Sequence, residues 1–170
     1  MQSIKQAYNS VLKGMAVLSG VLIFATFLMI VVDVSMRIVG LKPPLFTVAT
    51  VEYILLWFTM LAAPWLARIK GHVFIDAVTQ FLPSAVKVVV AKIVYAVCVV
   101  SCSIYAVHSY LLFDYAWERG LVDLRTVDMP QWVIYLPMPI CFTLVAVEFT
   151  RFLLGFDDMY DKRVADREGV

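Results

Sequence analysis

The segment Trp65–Asp76, with the sequence WLARIKGHVFID, lies where the character of the chain changes. An apolar run ends there with two cations, Arg68 and Lys70, and Gly71 then permits a sharp turn. The next residues are polar on one helical side and apolar on the other, the polar ones being His72, Asp76, Thr79 and Gln80. This pattern predicts an amphipathic helix at about 72–82, too short to span a bilayer and typical of a helix lying in the membrane interface.

The composition places the chain among membrane proteins. Of its 170 residues 62% are hydrophobic, and the mean hydropathy is +0.87, whereas globular domains contain about 45–50% apolar residues. Residues 14–32 provide nineteen consecutive positions without a charge, and about 20 such residues cross the hydrocarbon core as a helix. The apolar runs therefore exclude a soluble domain.

Four apolar segments predict an all-α integral membrane protein with one membrane domain at 1–156. The predicted transmembrane helices are about 11–39, 46–68, 85–113 and 130–154. Lys42-Pro43-Pro44 separates the first two because a proline pair cannot continue a helix, whereas Pro64 predicts a kink inside the second. The first segment is longer than the core of a signal peptide, about 7–15 residues, so we expect it to remain as an anchor. Residues 157–170 predict a charged cytoplasmic tail.

The distribution of Lys and Arg predicts the orientation, since short cytoplasmic loops are enriched in these residues. With both termini in the cytoplasm, ten cations lie on the inner side and four on the outer side, namely Arg37, Lys42, Arg119 and Arg125. The interfacial helix then lies against the cytoplasmic leaflet.

Ionisable residues inside a membrane are costly unless they are paired, so each is a candidate for function. Asp33 and Arg37 are four residues apart at the outer end of the first helix, and Glu52 lies at a similar level in the second. Two interpretations are open. Arg37 pairs with Asp33 or Glu52 and fixes the first two helices, or these charges form part of an ion or proton path.

A second group of charges lies at the inner end. Glu148 is three residues from Arg151 and can also reach Arg68 or Lys70, which predicts interfacial anchoring. At the bilayer midplane the segments carry no polar side chains other than Ser, Thr and Cys. A self-sufficient transporter needs a charged or unwound helix near the bilayer centre. The sequence therefore favours a subunit without a transport path of its own.

The residue pattern gives no indication of catalysis or of a cofactor. His72 and His108 lie at opposite faces of the membrane, too far apart to bind one haem at about 1.5 Å per helical residue. Cys98, Cys102 and Cys141 lie in apolar runs, where thiols act as packing residues. We expect no enzyme activity, no metal, no cofactor in this chain and no nucleic-acid partner. The tryptophans fall near the predicted membrane edges, as in an aromatic belt: Trp57, Trp65, Trp117 and Trp132.

Four motifs occur in order between residues 15 and 155. Asp33-Val-Ser-Met-Arg37 ends the first helix, and Glu52 followed by Trp57 lies in the second. Gly71-His72-Val73-Phe74-Ile75-Asp76 precedes the third, and Met129-Pro130-Gln131-Trp132 opens the fourth. Together they resemble the small membrane subunit, the DctQ type, of tripartite ATP-independent periplasmic (TRAP) transporters, whose Gly-His-x-x-(Ile/Val)-Asp element is the most specific. One departure is Val48-Ala49-Thr50, where the family often has a tryptophan.

The resemblance implies a non-catalytic subunit of an importer in the bacterial inner membrane. In such systems a periplasmic substrate-binding protein captures an organic acid of the dicarboxylate or sialic acid class. A large TRAP membrane subunit moves the acid inward as a symporter driven by a sodium gradient, so sodium is expected in that subunit. The small subunit, embedded in the lipid bilayer, is a scaffold that pairs with the large one and braces it.

The expected roles of individual residues follow from this resemblance. Structural or interface roles fall to Asp33, Arg37, Glu52, Gly71, His72, Asp76 and Trp132. Gly71 permits the turn, and His72 and Asp76 hold the interfacial helix to the polar surface or to the large subunit. The loop near the fourth helix would face the periplasm and contact a docked binding protein through Asp114, Glu118, Asp123, Arg125 and Asp128.

Two alternatives remain. The first is a self-contained, homodimeric four-helix exporter that exchanges protons for a cationic drug, which would be expected to carry an acid at mid-membrane in its first helix. The second is an accessory subunit of an unrelated membrane complex, which need not contain the Gly71-to-Asp76 element.

Overall fold

The computed structural model describes residues 2–69, 84–124 and 128–155. These ranges contain helices and two short strands: α1 (Gln2–Ile38), α2 (Thr47–Arg68), α3 (Ser84–Glu118), β1 (Val122–Leu124), β2 (Asp128–Pro130), α4 (Gln131–Tyr135) and α5 (Pro137–Leu153). The interfacial helix predicted at 72–82 lies outside the described residues, together with Gly71, His72 and Asp76. Arg125 and the predicted tail at 157–170 lie outside them as well.

Within the described residues, four helical stretches are long and apolar enough to cross a membrane: Gln6–Ile38, Thr47–Arg68, Val88–Glu118 and Gln131–Leu153. They correspond to the four predicted spans. Two helices are longer than predicted, since α1 begins at Gln2 and α3 continues to Glu118. The 37 residues of α1 extend for about 55 Å at 1.5 Å per residue, so this helix tilts or reaches beyond a hydrocarbon core of about 30 Å.

A glycine follows the end of each of the two longest helices, α1 and α3. Gly40 has a φ of 79°, and the N–H of Leu41 donates to the carbonyl of Met36 at 2.9 Å. Gly120, with a φ of 56°, is followed by Leu121, which bonds back to Ala116 in the same way. These are Schellman motifs, which favour glycine because a left-handed backbone crowds a Cβ atom.

The long helices form a row and not a closed bundle. Helix α1 packs along α2, α2 packs against α5, and α5 packs along α3. Among the 18 most hydrophobic consecutive residues of each span, 11% are buried in α1 and in α3, whereas 28% are buried in α2 and in the fourth span. The low values belong to the outer helices of the row, and the high values belong to the inner ones. As far as the described residues show, both broad faces of the row are therefore available to lipid or to another protein.

The main packing cluster lies where α2, α3 and α5 meet, and its buried members are Ala67, Ala91, Tyr95, Cys141, Val145, Phe149 and Phe152. The two alanines permit close approach of the backbones, which is the usual way to pack helices in lipid. The Tyr95 ring centroid lies 5.8 Å from that of Phe152. The larger rings thus fill the space beside the alanines.

The connection between α3 and the fourth span contains a short hairpin that the sequence did not indicate. Strands β1 and β2 pair antiparallel, with Asp123 opposite Met129. The backbone N–H of Gln131 then donates to the carbonyl of Leu121 at 2.9 Å. The fourth span follows as α4 and α5, separated at Leu136, because Pro137 has no N–H with which to continue the preceding turn.

Candidate functional sites at the two ends of the helix row

One end of the row, here called the arginine end, contains a buried carboxylate. Glu148 of α5 has no exposed surface, and its Oε2 accepts bonds from Arg68 Nη1 at 3.2 Å and from Arg151 Nη1 at 2.8 Å. The two arginine side chains are 17% and 29% exposed. Burial of an isolated carboxylate costs several kcal/mol, and the two guanidinium groups offset this cost.

The same cluster reaches the first helix. Arg68 Nη2 donates to Asn9 Oδ1 at 3.0 Å, so one side chain joins α2 to both α1 and α5. One turn further along α1, the Lys13 ammonium lies 5.9 Å from the centroid of the Trp65 ring. We call Asn9, Arg68, Glu148 and Arg151 the arginine cluster. It fastens three helices that are far apart in the sequence.

The sequence predicted part of this cluster. The sequence places Glu148 beside Arg151 and within reach of Arg68, and in the structure Glu148 forms ion pairs with both arginines. Asn9 was missed, because a neutral amide near the beginning of a helix gives no sequence signal for a partner 59 positions away. The alternative partner of Glu148, Lys70, lies outside the described residues.

The opposite end of the row, here called the hairpin end, is held by aromatic side chains. The Tyr53 hydroxyl of α2 donates to Asp123 Oδ2 at 3.0 Å, and the Trp57 indole donates to the carbonyl of Val133 at 3.2 Å. Trp132 packs edge-on against Trp117, with ring centroids 5.0 Å apart. These contacts attach the hairpin and α4 to α2 and α3.

Removal of the Tyr53 hydroxyl is expected to loosen the hairpin. The Tyr53→Phe variant loses a hydrogen bond of about 1 kcal/mol, which corresponds to about a fivefold increase in local opening. Hydrogen exchange of the amides in β1 and β2 should become faster by that factor. Tyr110→Phe is the control, because Tyr110 is 56% exposed, and equal exchange in both variants would contradict the tether.

Asp33 and Arg37 form an ion pair within α1. The Arg37 Nε–H donates to Asp33 Oδ2 at 2.7 Å. The sequence left Asp33 and Glu52 open as partners of Arg37, and the structure shows the bond to Asp33, on the same helix. Glu52 lies exposed near the beginning of α2. A role for these three residues in fixing α1 to α2 stays a prediction.

The residues predicted to contact a binding protein have different surroundings. Glu118 and Asp128 are exposed at the hairpin end, and Asp114 is half-buried. Asp123 is held by Tyr53, so this carboxylate positions the hairpin. Arg125 lies outside the described residues. The structure thus gathers Glu118, Asp123 and Asp128 around one hairpin, and their contact with a partner stays a prediction.

Several hydroxyl side chains inside the spans donate to backbone carbonyls of their own helix. Thr26 and Thr150 donate to carbonyls one turn earlier in their helices, at 2.9 Å and 2.7 Å. Among the residues that the structure describes, no group of three or more His, Cys, Asp or Glu side chains is placed to hold a metal ion.

Together these features define a multi-pass membrane protein whose charged and aromatic groups join helices at both ends of a row. The sequence profile of a family described as tripartite ATP-independent periplasmic transporters, DctQ component, matches residues 26–156. This match includes 131 of the 170 residues, and the chain belongs to that family. The family resemblance seen in the sequence is thereby confirmed, and the family is a transporter component and not an enzyme family. A comparison with curated proteins finds no match.

Proposed function

We propose that this chain is the scaffold subunit of a sodium-coupled importer of organic acids, which pairs with a large membrane subunit and braces it in the bilayer. The observation that carries the proposal is the open row of helices. A row has no enclosed centre in which a solute could be surrounded, whereas transport sites lie between helices near the bilayer midplane. The substrate path and the sodium sites are therefore assigned to the partner.

The contacts at the two ends of the row support a bracing role. At the arginine end, Arg68 of α2 is bonded to both α1 and α5. At the hairpin end, aromatic side chains of α2 and α3 contact the hairpin and α4. A brace must keep its shape while the moving part of its partner changes position, and fixed polar contacts at both ends supply that rigidity. The broad faces carry exposed apolar side chains, including Phe24 and Val97, which can pack against the helices of another membrane protein.

The hairpin end is proposed to face the periplasm and to contribute to docking of the substrate-binding protein. The exposed carboxylates of Glu118 and Asp128 lie beside the hairpin, and exposed charges steer association more than they add affinity. The arginine end then faces the cytoplasm, as the excess of Lys and Arg predicts. The substrate is proposed to be a dicarboxylate or a sialic acid, selected by the other two components.

Co-purification tests the proposal. A tagged copy of the full chain, extracted in mild detergent from its native membrane, is expected to bring with it one larger multi-pass protein in equal amount, identified by mass spectrometry. Deletion of the chain should abolish uptake of the organic acid bound by the associated periplasmic protein. Recovery of the chain alone as a stable homodimer would contradict the scaffold role and favour a self-contained exporter.

A further inference from the structure

The outward side of α3 carries an imidazole among apolar side chains. His108 is exposed on this outer helix of the row, and its ring makes no hydrogen bond to any residue that the structure describes. Ionisable side chains inside a membrane almost always face a protein partner or a water-filled cavity. The depth of His108 therefore decides whether this side of α3 suits lipid.

A ring contact places His108 relative to the neighbouring span. The Tyr105 ring of α3 stacks on Phe142, with centroids 5.4 Å apart, and Phe142 is the central residue of the span Gln131–Leu153. His108 lies one turn closer to the hairpin end, about 4.5 Å from that level at 1.5 Å per residue. In a hydrocarbon core about 30 Å thick, the imidazole lies well inside the apolar region. The sequence placed it at a membrane face, but α3 continues to Glu118 and His108 is correspondingly deeper.

His108 belongs to a line of exposed side chains that runs along α3. The line follows alternating steps of three and four residues, the spacing by which one membrane helix packs along another in a left-handed pair. Ser101 lies seven residues before His108, so the small hydroxyl side chain and the imidazole lie on the same side of the helix. We call this line the α3 seam, and its central members are Val94, Val97, Ser101, Ile104, His108 and Leu111.

Lipid tails do not meet the requirements of the α3 seam. An imidazole has two nitrogens that donate or accept hydrogen bonds, and leaving them without partners in hydrocarbon is costly. Serine and histidine form hydrogen bonds between membrane helices, and small residues such as serine let the two backbones approach closely. A second helix with a polar side chain at the level of His108 satisfies both residues.

We propose that the α3 seam is the surface on which a membrane-spanning helix of the large subunit packs, and that a polar side chain of that helix bonds to His108. The inference rests on the proposed function, which supplies the partner, and the family is described as one component of a transporter. Ser101 lies at the closest approach of the two helices, and Val97 and Ile104 pack on either side of it. The large subunit then lies beyond the α3 edge of the row, with α1 at the far edge.

Photo-crosslinking in the native membrane tests the position of the partner. Benzoylphenylalanine is introduced in place of Leu111 in the full chain, and the products of irradiation are identified by mass spectrometry. The expected product joins this chain to the larger multi-pass protein. An adduct with a second copy of this chain would overturn the proposal, and so would the absence of any adduct although the large protein co-purifies.

Two tryptophan variants test whether the seam itself is the contact. Ile104 and Val107 are exposed apolar residues of α3, at 53% and 59%, but Val107 lies about 100° around the helix from His108 and outside the seam. Ile104→Trp should lower the yield of co-purified large subunit, whereas Val107→Trp should keep the wild-type yield. Thermal unfolding of the isolated chain should be the same for both, and equal yields would contradict the seam.

Replacement of the imidazole tests the hydrogen bond. His108→Leu should weaken binding of the large subunit in detergent, measured by titration, about threefold, as expected for one average hydrogen bond between membrane helices. His108→Gln, which still donates and accepts, should restore most of the binding. Binding of His108→Leu equal to that of the wild type would overturn the proposal. Failure of the wild type to retain any large membrane protein would instead contradict the scaffold role, so the two failures are distinguishable.

Discussion

Replacement of Glu148 by alanine should destabilise the protein more than any other single removal of a charge among the described residues. The carboxylate has no exposed surface and accepts from two arginines, so its loss leaves Arg68 and Arg151 side by side without their shared anion. Breaking a buried ion pair by removing one partner costs about 3–5 kcal/mol. The contact of Arg68 with Asn9 should weaken as well, since the same guanidinium makes both bonds.

Unfolding of the Glu148→Ala variant in mixed micelles, with increasing denaturing detergent, measures this effect. Glu118→Ala is the control, because it removes an exposed acid and should change the free energy of unfolding by less than about 0.5 kcal/mol. Addition of Arg151→Ala to Glu148→Ala should recover part of the loss, because one of the repelling cations is removed. A midpoint equal to that of the wild type would show that the arginine cluster does not hold the helices.

A phenylalanine at position 67 should separate α2 from its neighbours in the row. Ala67 has no exposed surface and lies in the cluster where α2, α3 and α5 meet, which also contains Phe149 and Ala91. A ring has no space there unless the helices move apart. Inserting large side chains into a packed core costs about 1–3 kcal/mol, and occasionally more. We expect the larger value, since helices in lipid are held by close packing and not by exclusion of water.

The control for Ala67→Phe is the same ring one position earlier. Leu66 is 40% exposed, so Leu66→Phe should leave the free energy of unfolding close to that of the wild type. If the chain acts as the proposed brace, co-purification with the large subunit should fall for Ala67→Phe, because a displaced helix no longer matches the partner, and should persist for Leu66→Phe. Equal stability of the two variants would mean that the contact at Ala67 is not tight.

The arginine cluster shows how far charge patterns predict contacts. Glu148 and Arg151 are three residues apart, so helix geometry alone brings them together, and topology places Arg68 at the same level. No such rule reaches Asn9, or joins Tyr53 to Asp123 across 70 positions. A phenol and an amide carry no charge that must find a partner, so their hydrogen bonds are visible only once the helices have been placed.

The number of spans, their approximate limits and the family can be read from the sequence, because hydrocarbon demands about 20 apolar residues per helix and the motifs occur in a fixed order. It did not determine that the helices form the row α1–α2–α5–α3, that a hairpin follows α3, or that Arg37 pairs within its own helix. Those features depend on side chains distant in the sequence, such as Ala67, Tyr95 and Phe152. Their shapes meet only when the chain is folded, and the resulting row of helices is the feature that supports the proposed role of a brace.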